Sequence, residues 1–428
     1  MNAKKTVIIL AVAAIVQVLL LLFCDMEIVK DAKKFDRMAH NISKGLGLTE
    51  DGEKPSLLYP GAPLVFAPLY YIFGHKPIAV KTFQAVLFLI LCVLIYRIGR
   101  YCFDENTGFF SAIACALYPP LFILPSILLS EFLFTFDIAF LMFFYVISVK
   151  NGSYSKYALT GIFCAMASYI RPTGLFVIFF LIAGAFFLLK GKKRFLSFTL
   201  ISFTAFLIAM LPITARNYMR FGKFTPVAGT EYVNVAGQSE DEAKANEEFL
   251  DRQRERQFVL MKGYYDRAGI DISEKEIYRE LKGPVGKIIP QDYSWRVKNV
   301  FDGIRRLYVS SYSDIYQVGI PLAFFLKDRR LLLAYPGLFA WKLLVLFLSA
   351  FVSLMAVVGF LLGLRKMKAF FPVILILFYN TLFYLTYALL RKTDLTTRYG
   401  LPVVPYIILF AVFGCVLIFG RSKDAVHE

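Results

Sequence analysis

The chain has 428 residues, 58% of them hydrophobic, 17% aromatic and only 18% charged. A water-soluble globule of this size would have nowhere to bury that apolar surface, so the composition points to an integral membrane protein. The 48 basic residues against 31 acidic ones give a net charge of +17, which raises nucleic acid as a partner until the charges are placed along the chain.

A helix needs about 20 apolar residues to cross the hydrocarbon core. Taken in order, the runs 6–24, 82–98, 107–122, 128–149, 156–170, 173–190, 195–214, 341–364, 369–390 and 401–420 predict roughly ten transmembrane helices. Lys4 and Lys5 before the first run resemble a signal peptide, but no small-residue cleavage site follows, so the run is read as a span. Residues 62–74 predict a further re-entrant or interfacial helix. The expected fold class is all-α and polytopic. It divides into a membrane core over 1–214 that includes a first loop at 25–81, a small extramembrane helical module over 215–340, and C-terminal spans over 341–428.

Short loops on the side of the N-terminus hold Lys4, Lys5, Arg97, Arg100, Lys150, Lys156, Lys190, Lys192, Lys193, Arg194, Arg365, Lys366, Lys368, Arg421 and Lys423, against only Asp104, Glu105, Asp424 and Glu428. The positive-inside rule then places both termini in the cytoplasm and accounts for most of the basic excess. Nucleic acid binding is not needed to explain the charge. The two long loops, 25–81 and 215–340, carry nearly balanced charge, and helix-like stretches fall at 240–262 and 295–308.

The six cysteines stand singly in or beside apolar runs and the three histidines are scattered, so neither residue type predicts a metal centre. Chemistry is left to carboxylates and arginines. Ionisable residues in or beside spans are costly and therefore informative: Glu131, Arg171, Arg216 and Arg398 all fall at the outer ends of spans, on the side of the first loop. That loop opens with apolar residues Ile28, Ala32, Phe35, Ala39 and Ile42 at helical spacing, an amphipathic helix suited to a bilayer surface. Asp31 lies at the edge of the buried stripe, and Asp36 points about 140° away from it, so Asp31 is expected to be the acid that faces inward. Asp137, six residues beyond Glu131 and on a different face, has no assigned role.

Several motifs, in order, resemble the GT-C superfamily of membrane glycosyltransferases, in particular the bacterial protein O-mannosyltransferase and aminoarabinose-transferase-like enzymes. They are Asp31 through Phe35 with Ala39, Asn41 and Gly45; LYPGAPLVFAPLYYIFG from Leu58; ALYPPLF and LLSEFLF with Glu131; YIRPTGLFV with Arg171; ITARNYMRFGKFTPV with Arg216, Asn217 and Tyr218; and RYGLPVVPY from Arg398. Residues 230–340 carry no such match. The resemblance implies a GT-C-like helical fold with amphipathic first-loop helices over an extracytoplasmic active site, in a bacterial cytoplasmic membrane. It implies a polyprenyl-phosphate-linked sugar as donor and a hydroxyl acceptor on a glycan, lipid, wall polymer or protein, with inversion at the anomeric carbon. Asp31 would be the general base, and Glu131 would orient the acceptor or pair with an arginine. Arg171, Arg216 and Arg398 would hold the donor phosphate, with Tyr59 and Asn217 as weaker substrate contacts. No cofactor is implied, and a divalent cation is compatible but not indicated. Ala62 and Phe35 replace the aromatic and the tyrosine usual at those positions, which bears on sugar or acceptor preference. The alternative is a transporter or flippase of lipid-linked saccharides, which would place polar binding groups near the bilayer midplane, where only Asp137 is a candidate.

Overall fold

The computed structural model describes residues 2–222 apart from 25, 27, 29–30, 50–51, 53–55 and 57, then 224–227, 255, 258–259, 261–274, 276–277, 303–310, 322–390 and 397–424. Every regular element among them is helical. The chain forms two compact units, one of Met1–Tyr232, Val352–Phe383 and Leu401–Glu428, the other of Val233–Phe351 and Tyr384–Gly400.

In the first unit, α1 (Ala3–Phe23) leads to α2 (Asp31–Ser43) and α3 (Gly61–Phe73) of the first loop, then to α4 (Pro77–Cys102) and α5 (Glu105–Leu117). A short α6 (Pro119–Phe122) and a 3-10 turn follow, then α7 (Ser130–Asn151), α8 (Tyr154–Ile170), a 3-10 turn over Pro172–Phe176, α9 (Val177–Leu188) and α10 (Lys192–Phe221). The second unit includes α11 (Leu322–Lys327) and α12 (Arg329–Ala334). Of the last helices, α13 (Pro336–Leu362) and α14 (Met367–Leu390) contribute residues to both units, and α15 (Val404–Asp424) lies in the first.

Seven helices among the described residues are long and apolar enough to cross a membrane, or eight if the bent pair Glu105–Leu117 and Pro119–Ser126 is one span. The sequence predicted ten, and three elements account for the difference. The run 107–122 is broken by a 66° bend, because Pro119 and Pro120 supply no N–H to continue the ladder. The runs 156–170 and 173–190 become helices of 17 and 12 residues, separated at Arg171-Pro172 and each short of a full crossing. The 62–74 segment forms α3, a short apolar helix as expected. The predicted stretches at 240–262 and 295–308 lie largely outside the described residues; among the described ones nearby, 261–267 and 303–308 are helical.

Helix α7 is mostly buried, with 78% of its apolar window inside the protein, and a stripe of Phe136, Phe140, Phe143 and Phe144 is partly exposed. It packs against α4, α8 and α9. Polar amides pin the bent segment that precedes it: Gln17 Nε2 of α1 donates to Phe122 O at 2.9 Å, and Gln84 Nε2 of α4 donates to Pro125 O at 3.0 Å. These bonds satisfy carbonyls that the break strips from the helical ladder.

The basic residues named above mark one end of the unit. Lys5 lies 3.5 Å from Glu105, Lys150 Nζ donates to Tyr101 O, Arg194 donates to Val149 O at 3.4 Å, and Lys366 sits over the Phe413 ring. Beside them Phe103 stacks on Phe370 at 4.2 Å, closing the C-terminal helices onto α4. All six cysteines are free, four of them buried, in keeping with their reading as small core residues.

In the second unit, Phe258, Met261, Tyr265, Ile277, Phe324, Phe325 and Leu331 make a separate apolar core, and Tyr335 donates to Tyr264 O at 2.9 Å.

Helices α4 and α5 touch backbone to backbone. A Cβ on Gly108 would stand 2.5 Å from Tyr96 O, and one on Gly99 would stand 2.5 Å from the Cα of Gly108. Small residues are what allow such an approach between membrane helices. Gly108→Val is therefore expected to cost about 1–3 kcal/mol, read as a lower thermal midpoint of the detergent-purified protein.

Candidate active site

The end of the first unit opposite its basic cluster gathers most of the residues singled out from sequence. Glu131 sits in the first turn of α7 and Arg171 caps the C-terminus of α8. Their side chains form an ion pair, Arg171 Nη1 to Glu131 Oε1 at 3.0 Å, with only 7% and 3% of the arginine and glutamate side chains exposed. Each charge also lies at the helix end whose dipole favours it, the acid at an N-terminus and the cation at a C-terminus. The Arg171 guanidinium stacks over Phe134 at 5.9 Å.

Three parts of the chain hold that arginine in place. Gly174 N donates to Arg171 O at 2.9 Å, Arg171 N donates to Ala167 O at 2.9 Å, and the Tyr379 hydroxyl of α14 donates to Thr173 O. Gly61, from the proline-glycine motif of the first loop, lies flat against the end of α8: a Cβ there would meet the Ile170 backbone at 2.6 Å. The residue type at 61 is thus set by a close approach between the first loop and the residue preceding Arg171.

Arg216 is half-buried at the end of α10. It donates to Asn217 Oδ1 at 2.9 Å and to Leu48 O of the first loop at 3.3 Å. Asn217 is buried and donates in turn to Thr225 O at 3.0 Å and to Val227 O. Its amide therefore folds the chain back after α10 and orients Arg216. Tyr59 packs its ring on Phe35 of α2 at 5.4 Å, joining the proline-glycine motif to the first-loop helix.

The first-loop helix forms where its spacing predicts, with Ala32, Phe35, Met38 and Ala39 buried. Its acids are arranged otherwise. Asp31 is partly exposed in the first turn, whereas Asp36, expected to point away from the interior, is the buried one. The Tyr70 hydroxyl of α3 donates to Asp36 Oδ1, and His75 Nε2 donates to Asp36 Oδ2 at 2.9 Å. A carboxylate with two such donors can be buried at the edge of an apolar stripe.

Arg398 belongs to the second unit, where it lies 5.9 Å from the ring of Tyr399, which stacks on Tyr384 at 4.7 Å. Asp137 is enclosed in α7, and neither of its carboxyl oxygens has a hydrogen-bond partner.

Sequence reasoning passed over the polar groups that shape the first loop. Lys81 Nζ donates to Met26 O at 2.9 Å, and Gln17 and Gln84 clamp the segment leading to Glu131. The available signal was an amide or ammonium inside an apolar run, which is costly unless it bonds backbone. Among the described residues, no group of three or more His, Cys, Asp or Glu could hold a metal ion.

Comparison with known proteins agrees with this architecture. Residues 53–216, under half of the chain, match the family model described as dolichyl-phosphate-mannose-protein mannosyltransferase. No curated protein matches the sequence. The apo oligosaccharyltransferase of Archaeoglobus fulgidus superposes with a TM-score of 0.56 at 11% identity, over 100% of this chain and 52% of that one. The AglB oligosaccharyltransferase of the same organism, in complex with an inhibitory peptide and a dolichol-phosphate, gives 0.55 at 12% identity over 100% and 52%. ArnT from Cupriavidus metallidurans, bound to undecaprenyl phosphate, gives 0.52 at 10% identity over 97% and 60%. The chain thus spans about half to three-fifths of the length of these structures. One further structure of the archaeal enzyme is a complex with Zn and sulfate; the described residues here do not fit such a metal, and no step below passes through one.

Breaking the Glu131–Arg171 pair leaves a buried charge behind. Glu131→Leu and Arg171→Met are each expected to cost about 3–5 kcal/mol of stability, and the double variant about 2 kcal/mol or less, measured by thermal unfolding in detergent. Asp137→Leu is expected to raise the midpoint, because it removes an unpartnered buried carboxyl at nearly constant volume.

In fold, and in the sequence of its first half, the chain resembles the GT-C superfamily of membrane glycosyltransferases, as its ordered motifs predict.

Proposed function

We propose that this protein is an inverting glycosyltransferase that moves a sugar from a polyprenyl-phosphate donor to a hydroxyl acceptor at the extracytoplasmic face of a bacterial cytoplasmic membrane. The observation that carries the reading is the buried Glu131–Arg171 pair, with the first loop packed against the residue before Arg171 and bonded to Arg216. Three motifs far apart in sequence meet there, at the end of the unit away from the basic loops, within a fold shared with enzymes that bind polyprenyl phosphates.

The chemistry follows from the residue types. The acceptor hydroxyl must lose its proton as it attacks the anomeric carbon, and the bond from that carbon to the phosphate oxygen breaks on the opposite face. Asp31, partly exposed in the first turn of α2, is the proposed base. The leaving polyprenyl phosphate gains negative charge, which guanidinium groups stabilise with two-point hydrogen bonds. Arg171 and Arg216 are the proposed phosphate ligands of the first unit. Glu131 fixes the Arg171 fork through their ion pair and can orient the acceptor. Tyr59 and Asn217 act through their neighbours, Phe35 and Arg216.

The test uses membranes with native acceptors and a panel of radiolabelled polyprenyl-phosphate sugars, following label transfer together with release of free polyprenyl phosphate. The wild-type protein is expected to transfer from one donor, and Asp31→Asn to lose roughly 100- to 10,000-fold in kcat while still binding that donor. A flippase would move donor between leaflets without releasing polyprenyl phosphate, and that result would replace this reading.

A further inference from the structure

Asp36 is a buried acid at the edge of the apolar stripe of α2, one turn after Ala32. The group around it is compact. Tyr70 and His75 both donate to its carboxylate. The His75 ring also lies edge-on to Tyr70 at 4.8 Å and stacks on His40 of α2 at 4.2 Å. His75 therefore grips α2 at residues 36 and 40, which are one turn apart on the same face. Burial, together with the nearby His75 and Lys44 charges, holds the His40 imidazole below its usual pKa against the opposing pull of Asp36.

A metal site is a poor description of this group. The two imidazole planes are within 24° of parallel, so their in-plane lone pairs run side by side and do not converge on one ion. A mechanical role fits better. The apolar contacts of α2 are supplied mostly by small or flexible side chains, with Ala32, Met38 and Ala39 wholly buried and only Phe35 bulky and rigid, while Asn41 bonds Thr49 O near the far end of the helix. Such a face leaves the rotation of a helix about its axis loosely defined. A carboxylate held at both oxygens defines it, because each bond has a narrow directional range.

We propose that Asp36 is a positioning residue: clamped by Tyr70 and His75, it sets the rotation of α2 and so the direction in which Asp31 is presented to the acceptor. The two acids are five residues apart, about 140° around the helix and about 7.5 Å along it, so fixing one azimuth fixes the other. Displacement of a reacting group by about 1 Å can cost on the order of 100-fold in rate. The proposal rests on the reading of Asp31 as general base, and its test separates the two.

The full-length protein is compared as wild type, Asp36→Leu, Asp36→Asn and Asp31→Asn, using the donor that supports transfer in the panel above. Asp36→Leu is expected to lower kcat about tenfold or more with donor KM nearly unchanged. Asp36→Asn, whose amide oxygen still accepts a hydrogen bond, should recover most of that loss. A second measurement needs no substrate: Asp31→Cys, in a protein also carrying Cys24→Ser and Cys415→Ser, is alkylated with a membrane-impermeant maleimide. The rate should change several-fold when Asp36→Leu is added and little when Asp36→Asn is added. Unchanged kcat and unchanged alkylation in the Asp36→Leu background would overturn the positioning role while leaving Asp31 as base. Undiminished transfer by Asp31→Asn would instead remove the base assignment, and alkylation alone would then decide whether Asp36 orients α2. Should Asp36→Leu fail to fold, Tyr70→Phe and His75→Gln each remove one donor and are held to the same two readouts.

Discussion

A glutamate and an arginine buried together are tolerable only if their geometry is held, since each charge stripped of water costs several kcal/mol unless its partner stays in place. The Glu131–Arg171 pair meets that condition by joining two helix ends. Much of the surrounding structure serves this junction. Gln17 and Gln84 satisfy the carbonyls of the bent segment, so the chain can enter α7 at Glu131 without a continuous helix behind it. Tyr379 holds the turn after Arg171, and Gly61 lets the first loop lie against the residue before it. Irregular backbone is costly near lipid, and here it is enclosed by protein and bonded at each of these points.

Helical periodicity and apolar runs identify the long spans well, because α1, α4, α7 and α10 are dictated by length and hydropathy alone. They fail where a local rule is overridden by a neighbour. The run 107–122 reads as one span, yet two consecutive prolines bend it; the prolines were visible, but the distant glutamines that make the bend affordable were not. The break at Arg171-Pro172 was read from the sequence, but the helices on either side of it, of 17 and 12 residues, are shorter than the spans predicted there. Convergence of charge at one end was legible for Glu131, Arg171 and Arg216, since alternating helix direction returns every second loop to the same end.

The orientation of α2 was not legible, and the reason is specific. An amphipathic wheel puts Asp31 and Asp36 at opposite edges of the apolar stripe, so spacing alone does not decide which acid is buried. It has no means of knowing that Tyr70 and His75, more than 30 residues away, each bring a donor to the same spot. The energy that decides the question is hydrogen bonding to a charge, about 1.5–3 kcal/mol per bond, and not hydrophobic area. Sequence spacing is informative about a helix face only while burial is settled by area.

The same distinction bears on the two acids of the proposed mechanism. A general base must be ionised, close to its proton donor and able to take up the proton without losing a bond that holds the site together. Protonating Glu131 would dismantle the buried pair and leave Arg171 without its counter-charge, at the cost expected for an orphaned buried ion. Asp31 stands in the first turn of α2, partly open to solvent, and is not a member of that buried pair. In the proposed mechanism Glu131 keeps the arginine aimed and Asp31 takes the proton, so the buried pair stays intact through the reaction.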